Sequence, residues 1–488
     1  MTLIFSGNNY IYETEGIMKL FIPAERFAHS RSDSPAAEGD YAFICEKQTE
    51  AGILLYVEAR LGDSKASREL TLPADSQEDR ELALSKLLYQ AMSELTGIVP
   101  KWGVMTGVRP VKRVNRYIDS GMERSEMARF FKEQFYCSEE KFDIAYRTAQ
   151  VQRGIMTALP EESFSLYVSI PFCPTRCSYC SFISQTVASG KKLIPEYIER
   201  LCEEIAYTAQ LTKELGLRLD TVYFGGGTPT AFEATALERI MRAVSDSFDM
   251  STVREYTVEA GRADTITREK LEVIRDGGAT RLSVNPQTLS DNVLEAIGRK
   301  HTAAQFYEAF DLARSLGFDR INTDIIAGLP TDTPESFAAT VEGLLKLAPE
   351  NITVHTLSIK RAADLNYSDK KQQILTSPAG VMVDFASRRL TESGYSPYYL
   401  YRQKNMLDNL ENIGWSREGC ESLYNIFIME EIQTILAVGA GASSKLVDLR
   451  NSRLERVFNY KHPLEYLKHF GLMLDKKKET VDFYAQKE

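Results

Sequence analysis

Between residues 165 and 359 of this 488-residue chain, strand-like and helix-like segments alternate six times, and no other feature restricts the fold as much. The strand candidates are 166–172, 221–225, 255–260, 281–287, 321–327 and 352–359. Amphipathic stretches such as 193–215, 234–248 and 334–347 lie between them. Successive β–α units imply parallel strands joined by right-handed crossovers. A closed eight-stranded barrel takes about 250 residues, and the six units are too short for one. The expectation is an α/β fold built on a partial (β/α)6 barrel, open on one side, with chemistry at the carboxyl ends of its strands.

The flanks read differently. Residues 1–160 are expected to form an N-terminal α/β accessory domain, with a strand at 52–61, a polar turn at 30–40 and an amphipathic helix at 78–95. The segment 102–113, WGVMTGVRPVKR, reads as a basic loop that either packs on its neighbour or contacts substrate. The barrel is assigned to 161–375 and a C-terminal covering domain to 376–488. In that tail, 394–405 is rich in Tyr and turn formers, and 430–445 passes from an apolar, helix-like run into a small-residue turn. The lysines at 476–478 read as solvated surface.

Composition narrows the function. Lys and Arg number 58 against 68 Asp and Glu, a net charge of −10, which disfavours nucleic acid as a partner but not small anions. Seven cysteines, three of them within eight residues, do not resemble a secreted disulfide framework. The first residues, MTLIFSG, carry no basic segment of a signal peptide, and no apolar run reaches the roughly 18 residues of a membrane span. A cytoplasmic protein without a membrane span is expected.

The cysteines form Cys173-Pro-Thr-Arg-Cys177-Ser-Tyr-Cys180, directly after the first barrel strand. The short spacing lets three thiolates converge from one loop, and thiolates hold iron–sulfur clusters, usually in fours. A cluster with three ligands keeps one iron open to a chelating molecule. Zinc and incidental core cysteines are the other readings these residues leave open.

With this loop in this position, the chain resembles the radical S-adenosylmethionine (SAM) superfamily. Tyr167-Val-Ser-Ile-Pro-Phe-Cys173 and Gly225-Gly-Gly-Thr-Pro229 resemble the oxygen-independent coproporphyrinogen III dehydrogenase (HemN-like) group. Gly107-Val-Arg-Pro110 and Tyr399-Leu-Tyr-Arg-Gln-Lys-Asn405 are most similar to its HemZ branch. The resemblance implies a [4Fe–4S] cluster on Cys173, Cys177 and Cys180. It further implies SAM held by Tyr167, Tyr179, Gly226, Gly227, Thr228, Glu259, Gln287, Arg299, Asp324 and Ser358. For Glu259 the residues alone also allow a salt bridge to Arg262.

The implied enzyme is an oxidoreductase of heme biosynthesis. It would use a 5′-deoxyadenosyl radical to decarboxylate propionates of coproporphyrinogen III, giving protoporphyrinogen IX. A reduced flavodoxin- or ferredoxin-type donor is implied as partner, and Arg109, Lys112, Arg113, Arg361 and Arg402 are candidates for the substrate carboxylates. Two positions depart from the dehydrogenase pattern: Ser169 stands where His is usual, and Phe182 where an extra Cys is usual. The tail reads Leu423-Tyr-Asn-Ile-Phe in place of the His–aromatic–Tyr-Trp segment of related heme chaperones. Alternative functions are heme trafficking, or a radical SAM reaction on another tetrapyrrole by methyl transfer or heme opening.

Overall fold

The computed structural model describes the chain except for residues 24, 37, 108, 161, 183–184, 359–362, 364–377, 404–405 and 486–488. It divides into two compact units: residues 1–146 with 402–410, and 147–401 with 411–488. A separate C-terminal domain was expected; the tail beyond 376 instead belongs mostly with the barrel strands.

The first unit is a five-stranded sheet with helices. Its strands are β1 (Thr2–Ser6), β2 (Ala28–Arg31), β3 (Tyr41–Thr49), β4 (Gly52–Leu61) and β5 (Ser64–Leu72), in the order β2-β1-β3-β4-β5. β1 runs parallel to both neighbours, and β3-β4-β5 is an antiparallel meander. The helix Arg80–Thr96 starts where Asp79 accepts from Leu82 N and ends at left-handed Gly97. Its Leu84, Leu88 and Met92 are buried, as are Ile44, Leu55 and Val57 of the sheet. The last third of the segment expected as a basic loop is helix: Pro110 opens the helix Pro110–Asp119, a position where its missing N–H leaves no bond unmade.

The second unit holds an eleven-stranded sheet. Its strands are β6 (Ser163–Ile170), β9 (Arg218–Gly226), β10 (Glu255–Gly261), β11 (Arg281–Val284), β12 (Ile321–Ala327), β13 (Asn351–Thr356), β14 (Ser396–Tyr401), β15 (Asn412–Ser416), β16 (Thr434–Val438), β17 (Ser443–Asp448) and β18 (Arg453–Phe458). A separate short pair, β7 (Phe172–Cys173) and β8 (Gln185–Thr186), follows β6. The order is β14-β15-β13-β12-β11-β10-β9-β6-β16-β17-β18. All six expected barrel strands are present and parallel, with helices Ile194–Glu214, Ala234–Ser247 and Pro334–Leu347 between them.

The tail extends this sheet at both edges. β15 and β14 add antiparallel strands beside β13. β16 adds a seventh parallel strand beside β6, where a helix-like run was expected. All five of its residues are buried, and a strand covered on both faces reads as a continuous apolar run. The helix here lies earlier, at Leu423–Glu430. Glu255 fixes its start: the carboxylate accepts from Ser422 Oγ and from the N–H groups of Leu423 and Tyr424. Tyr424 is then stacked 4.4 Å from Tyr223 and 6.1 Å from Tyr167, so this helix sends one ring against the tyrosines of β6 and β9.

Candidate active site

The cysteine loop starts from a close crossing of two backbones. Gly227 N donates to Ile170 O at 2.8 Å, and Thr228 N donates to Phe172 O at 2.8 Å. A Cβ on Gly227 would stand 2.5 Å from Phe172 O, so the slot a side chain would need is filled by the strand leading to Cys173. Thr228 Oγ1 donates to Cys173 Sγ at 3.5 Å. Further along, Ser178 N bonds Ile297 O at 3.0 Å, and Cys180 N bonds Cys177 O at 3.1 Å. Cys177 is buried, while Cys173 and Cys180 are half-buried.

Two guanidinium groups flank this loop. Arg299 donates to Tyr179 Oη at 3.2 Å and to Asn285 O at 3.0 Å, and its Nε is buried with no partner among the described residues. Arg262, which the sequence offered only as a salt-bridge partner for Glu259, instead grips Asp264 at 2.9 and 2.7 Å and reaches Thr175. The salt-bridge reading of Glu259 is thereby overturned.

Glu259 faces the barrel interior from β10. Its Oε1 accepts from Tyr223 Oη at 2.5 Å, and Tyr223 sits level with Tyr167 across β6 and β9. Burial, helped by nearby Asp324, pushes the Glu259 carboxyl up from 4.5 to about 7. Burial likewise pushes the Tyr167 and Tyr223 phenols up, so both stay protonated. Asp324 is half-buried; the partial burial pushes its carboxyl up, but His355, 3.9 Å away, and the hydrogen bond from Asn322 outweigh that and hold it below the usual range. Asn322 Nδ2 reaches it at 2.8 Å. Gln287 occupies left-handed backbone at φ 66° beside β12, where its N–H bonds Asp324 O at 2.9 Å. Ser358 lies half-buried just past β13.

The raised Glu259 carboxyl gives a signed prediction. Its folded-state value exceeds the unfolded one, so its contribution to stability is complete below pH 4.5 and is lost as pH rises through about 7. Ligand-free protein should therefore lose up to about 3 kcal/mol relative to Glu259→Gln between these limits. Parallel thermal melts of the two proteins at pH 5 and pH 8 measure it, and a pH-independent gap would show the carboxyl to be unshifted.

The structure brings together the cysteine loop, Tyr179, Thr228 and Arg299 by direct bonds, and Tyr167, Tyr223, Glu259 and Asp324 along the strand ends. Tyr223, Tyr424 and His355 were missed, because each is an ordinary residue whose partner lies far away in sequence. The alternation of β9 does put Tyr223 on the face of Gly225, and that was the one available signal. The substrate candidates Arg109, Lys112, Arg113 and Arg402 belong to the other unit, and Arg361 lies outside the described residues. Arg402 is 2% exposed and donates to the carbonyls of Met105 and Asn409, a tie within its own unit. Ser169 is buried, with its hydroxyl on Ala440 O at 2.8 Å.

The donor set fits an open-sided iron–sulfur cluster. Three thiol groups share one loop, whereas Cys420 lies at the opposite end, its carbonyl bonded by Arg281 and Asn351 where β11 and β13 begin. Among the described residues, no three His, Cys, Asp or Glu side chains gather tightly enough for a single metal ion. Ligands to a four-iron cluster each bind a different iron and stand farther apart. Among the described residues, the Nε of Arg299 is a buried donor without an acceptor.

Residues 167–344 match the model of the radical SAM superfamily, and the fold and three-cysteine loop define the chain as a radical SAM enzyme. An oxygen-independent coproporphyrinogen-III oxidase-like protein, HemZ, of Bacillus subtilis is 39% identical over 411 residues, 83% of this chain and 81% of that one. The chain belongs to this HemZ-like family of radical SAM proteins. The heme chaperone HemW of Lactococcus lactis is 31% identical over 61% of this chain and 73% of its own length. Among solved structures, coproporphyrinogen III oxidase (HemN) of Escherichia coli shares the fold, with a TM-score of 0.52 and 24% identity over 67% of this chain and 73% of that one. No helix among the described residues is long and apolar enough to cross a membrane.

Proposed function

We propose that this enzyme carries out the oxidative decarboxylation of coproporphyrinogen III propionates to vinyl groups, giving protoporphyrinogen IX. The observation that supports this reading is the likeness to the HemZ protein over four-fifths of both chains, with the cysteine loop intact and facing a polar barrel end. Cys173, Cys177 and Cys180 would hold the cluster. Tyr167, Tyr179, Gly226, Gly227, Thr228, Glu259, Gln287, Arg299, Asp324 and Ser358 would hold SAM, Gly227 through its backbone alone because its Cβ slot is taken. When bound, the two cofactors would supply a reductively formed 5′-deoxyadenosyl radical, which requires a flavodoxin- or ferredoxin-type donor; of the two electrons each propionate gives up with its CO2, one would leave with the hydrogen atom taken by the radical and the other would pass to an external electron acceptor.

The chain's own residues do the rest. Tyr223 orients the Glu259 carboxylate by its 2.5 Å hydrogen bond, ready to accept from an ammonium or ribose group. Tyr167, Tyr223 and Tyr424 fill the interior with stacked rings and exclude water from beneath the site. Arg109, Lys112 and Arg113 are proposed for the substrate carboxylates; Arg402 is not, since its guanidinium is bonded to backbone. Glu259→Ala should weaken SAM binding about ten- to a hundredfold while leaving iron content unchanged, as calorimetry and iron analysis would measure.

A heme-trafficking role is the second reading, favoured by the HemW likeness and by Ser169, which puts no imidazole where the dehydrogenase pattern usually has His. One anaerobic assay separates the two. With reconstituted enzyme, SAM and coproporphyrinogen III, the proposal expects 5′-deoxyadenosine, CO2 and vinyl product together. Nucleoside without CO2 would keep the radical chemistry and reject the substrate. Stoichiometric heme binding with no nucleoside would favour trafficking.

A further inference from the structure

The cysteine loop carries the metal donors, yet its central residues 174–182 belong to no helix or strand. What holds it comes from the ends of other strands, and the tether at Thr175 is unlike the rest. Arg262 stands one residue past β10, 3% exposed, and all of its guanidinium edge is engaged. Nη1 donates to Thr175 O at 3.2 Å and to Thr175 Oγ1 at 2.7 Å. Nε and Nη2 form a two-pronged pair with Asp264 at 2.9 and 2.7 Å. The fork fixes the plane of the guanidinium, and the third nitrogen then has one direction left, into the loop between Cys173 and Cys177.

The anchor is itself rigid. Arg262 N bonds Ala260 O at 2.8 Å, and Thr230 Oγ1 bonds the same carbonyl at 2.5 Å. The buried residue His301 lies 3.9 Å from the Asp264 carboxylate, too far to hydrogen-bond it, so the fork from Arg262 is what orients that carboxylate. Glu259 lies three residues before Arg262 on the same strand end. One side chain therefore connects the strand end that carries Glu259 to the loop that carries the thiols.

We propose that Arg262 is a positioning residue for the cysteine loop: through Thr175 it sets the three thiol groups against the Glu259 end of β10. This rests on the cluster reading given above. No property of an Arg three residues after a strand-end Glu announces the role; only the folded geometry does.

The test uses the full-length protein and the variants Arg262→Gln, Arg262→Lys and Asp264→Asn. In cluster-free protein, mass spectrometry follows the rate at which each cysteine reacts with a thiol reagent, with Cys202, in the helix Ile194–Glu214, as internal reference. Loss of a charged tether should raise local opening of the loop. Arg262→Gln is expected to speed labelling of Cys177 about tenfold or more, with Cys202 unchanged, when each protein is labelled equally far below its own melting temperature. Arg262→Lys, which can meet Thr175 but not hold the fork, should fall between, and Asp264→Asn should shift in the same direction. If Arg262→Gln fails to fold, Arg262→Lys decides. Unchanged Cys177 labelling in a folded variant overturns the proposal. After anaerobic reconstitution, the SAM-induced change in the EPR signal should be diminished in Arg262→Gln at wild-type iron content. A wild-type protein that takes up no cluster would defeat the cluster reading, while the labelling rates would still judge Arg262.

Discussion

Cys177→Ser protein, reconstituted anaerobically, is expected to hold no four-iron cluster and to release no 5′-deoxyadenosine when reduced with SAM. Cys177 is the middle ligand candidate and is only 8% exposed, so no outside group can take its place. Serine differs by one atom but offers an alkoxide precursor, a far poorer partner for iron than thiolate. Two remaining thiolates cannot hold the cube against hydrolysis. The loss should exceed about a hundredfold, the upper range for removing a mere outer-shell partner of a metal ligand. Folding should be nearly untouched, because Thr228, Ser178 and Arg262 tether the loop without the Cys177 sulfur. Iron and sulfide analysis with nucleoside detection measures this. Full cluster retention would remove Cys177 from the ligand set.

The largest effect on stability is expected at Glu204, in the helix Ile194–Glu214. Its fully buried carboxylate pairs with Lys477 at 2.9 Å and accepts from Tyr466 Oη at 2.6 Å, Asn459 Nδ2 at 2.7 Å and Gly439 N at 2.8 Å. Lys477 is 4% exposed and also bonds Ala437 O at 2.8 Å. The expectation of solvated lysines at 476–478 is thus wrong for the middle one. Glu204→Ala leaves a buried ammonium and three donors without their acceptor, which costs about 3–5 kcal/mol. The double variant Glu204→Leu with Lys477→Met removes both charges and should recover part of that loss. Denaturant titration of the three proteins checks both statements; a double variant weaker than the single would mean that the charge pair itself is stabilising.

Legibility in the sequence followed the range of the interactions. The six barrel strands were readable because each is a short β-rich run set between helices with apolar residues on one face, and both patterns arise from neighbours along the chain. β16 was not, because Thr434–Val438 is buried on both faces and shows no alternation to separate it from a helix. Lys477 was missed for another reason: a charge is read as solvated unless its partner is visible, and its partner is Glu204; Arg262 was read only as a partner of Glu259, and its reach to Thr175 is a contact between the end of β10 and the cysteine loop. The cysteine loop was legible because its donors are adjacent. The Glu259 environment was only half legible, since Tyr223 and Asp324 reach it from different strands.

The pairing of β16 with β6 also bears on how the chain comes off the ribosome. Translation delivers the cysteine loop early, but Thr434–Val438, which covers the edge of β6, comes some 250 residues after Cys180, as does Tyr424. At about 5–20 residues per second, the nascent chain carries its thiols for roughly 13 to 50 s before the strand that flanks them exists. Pairing of β16 with β6 is therefore a late event in synthesis, and every thiol in the loop passes through that interval in an unfinished fold.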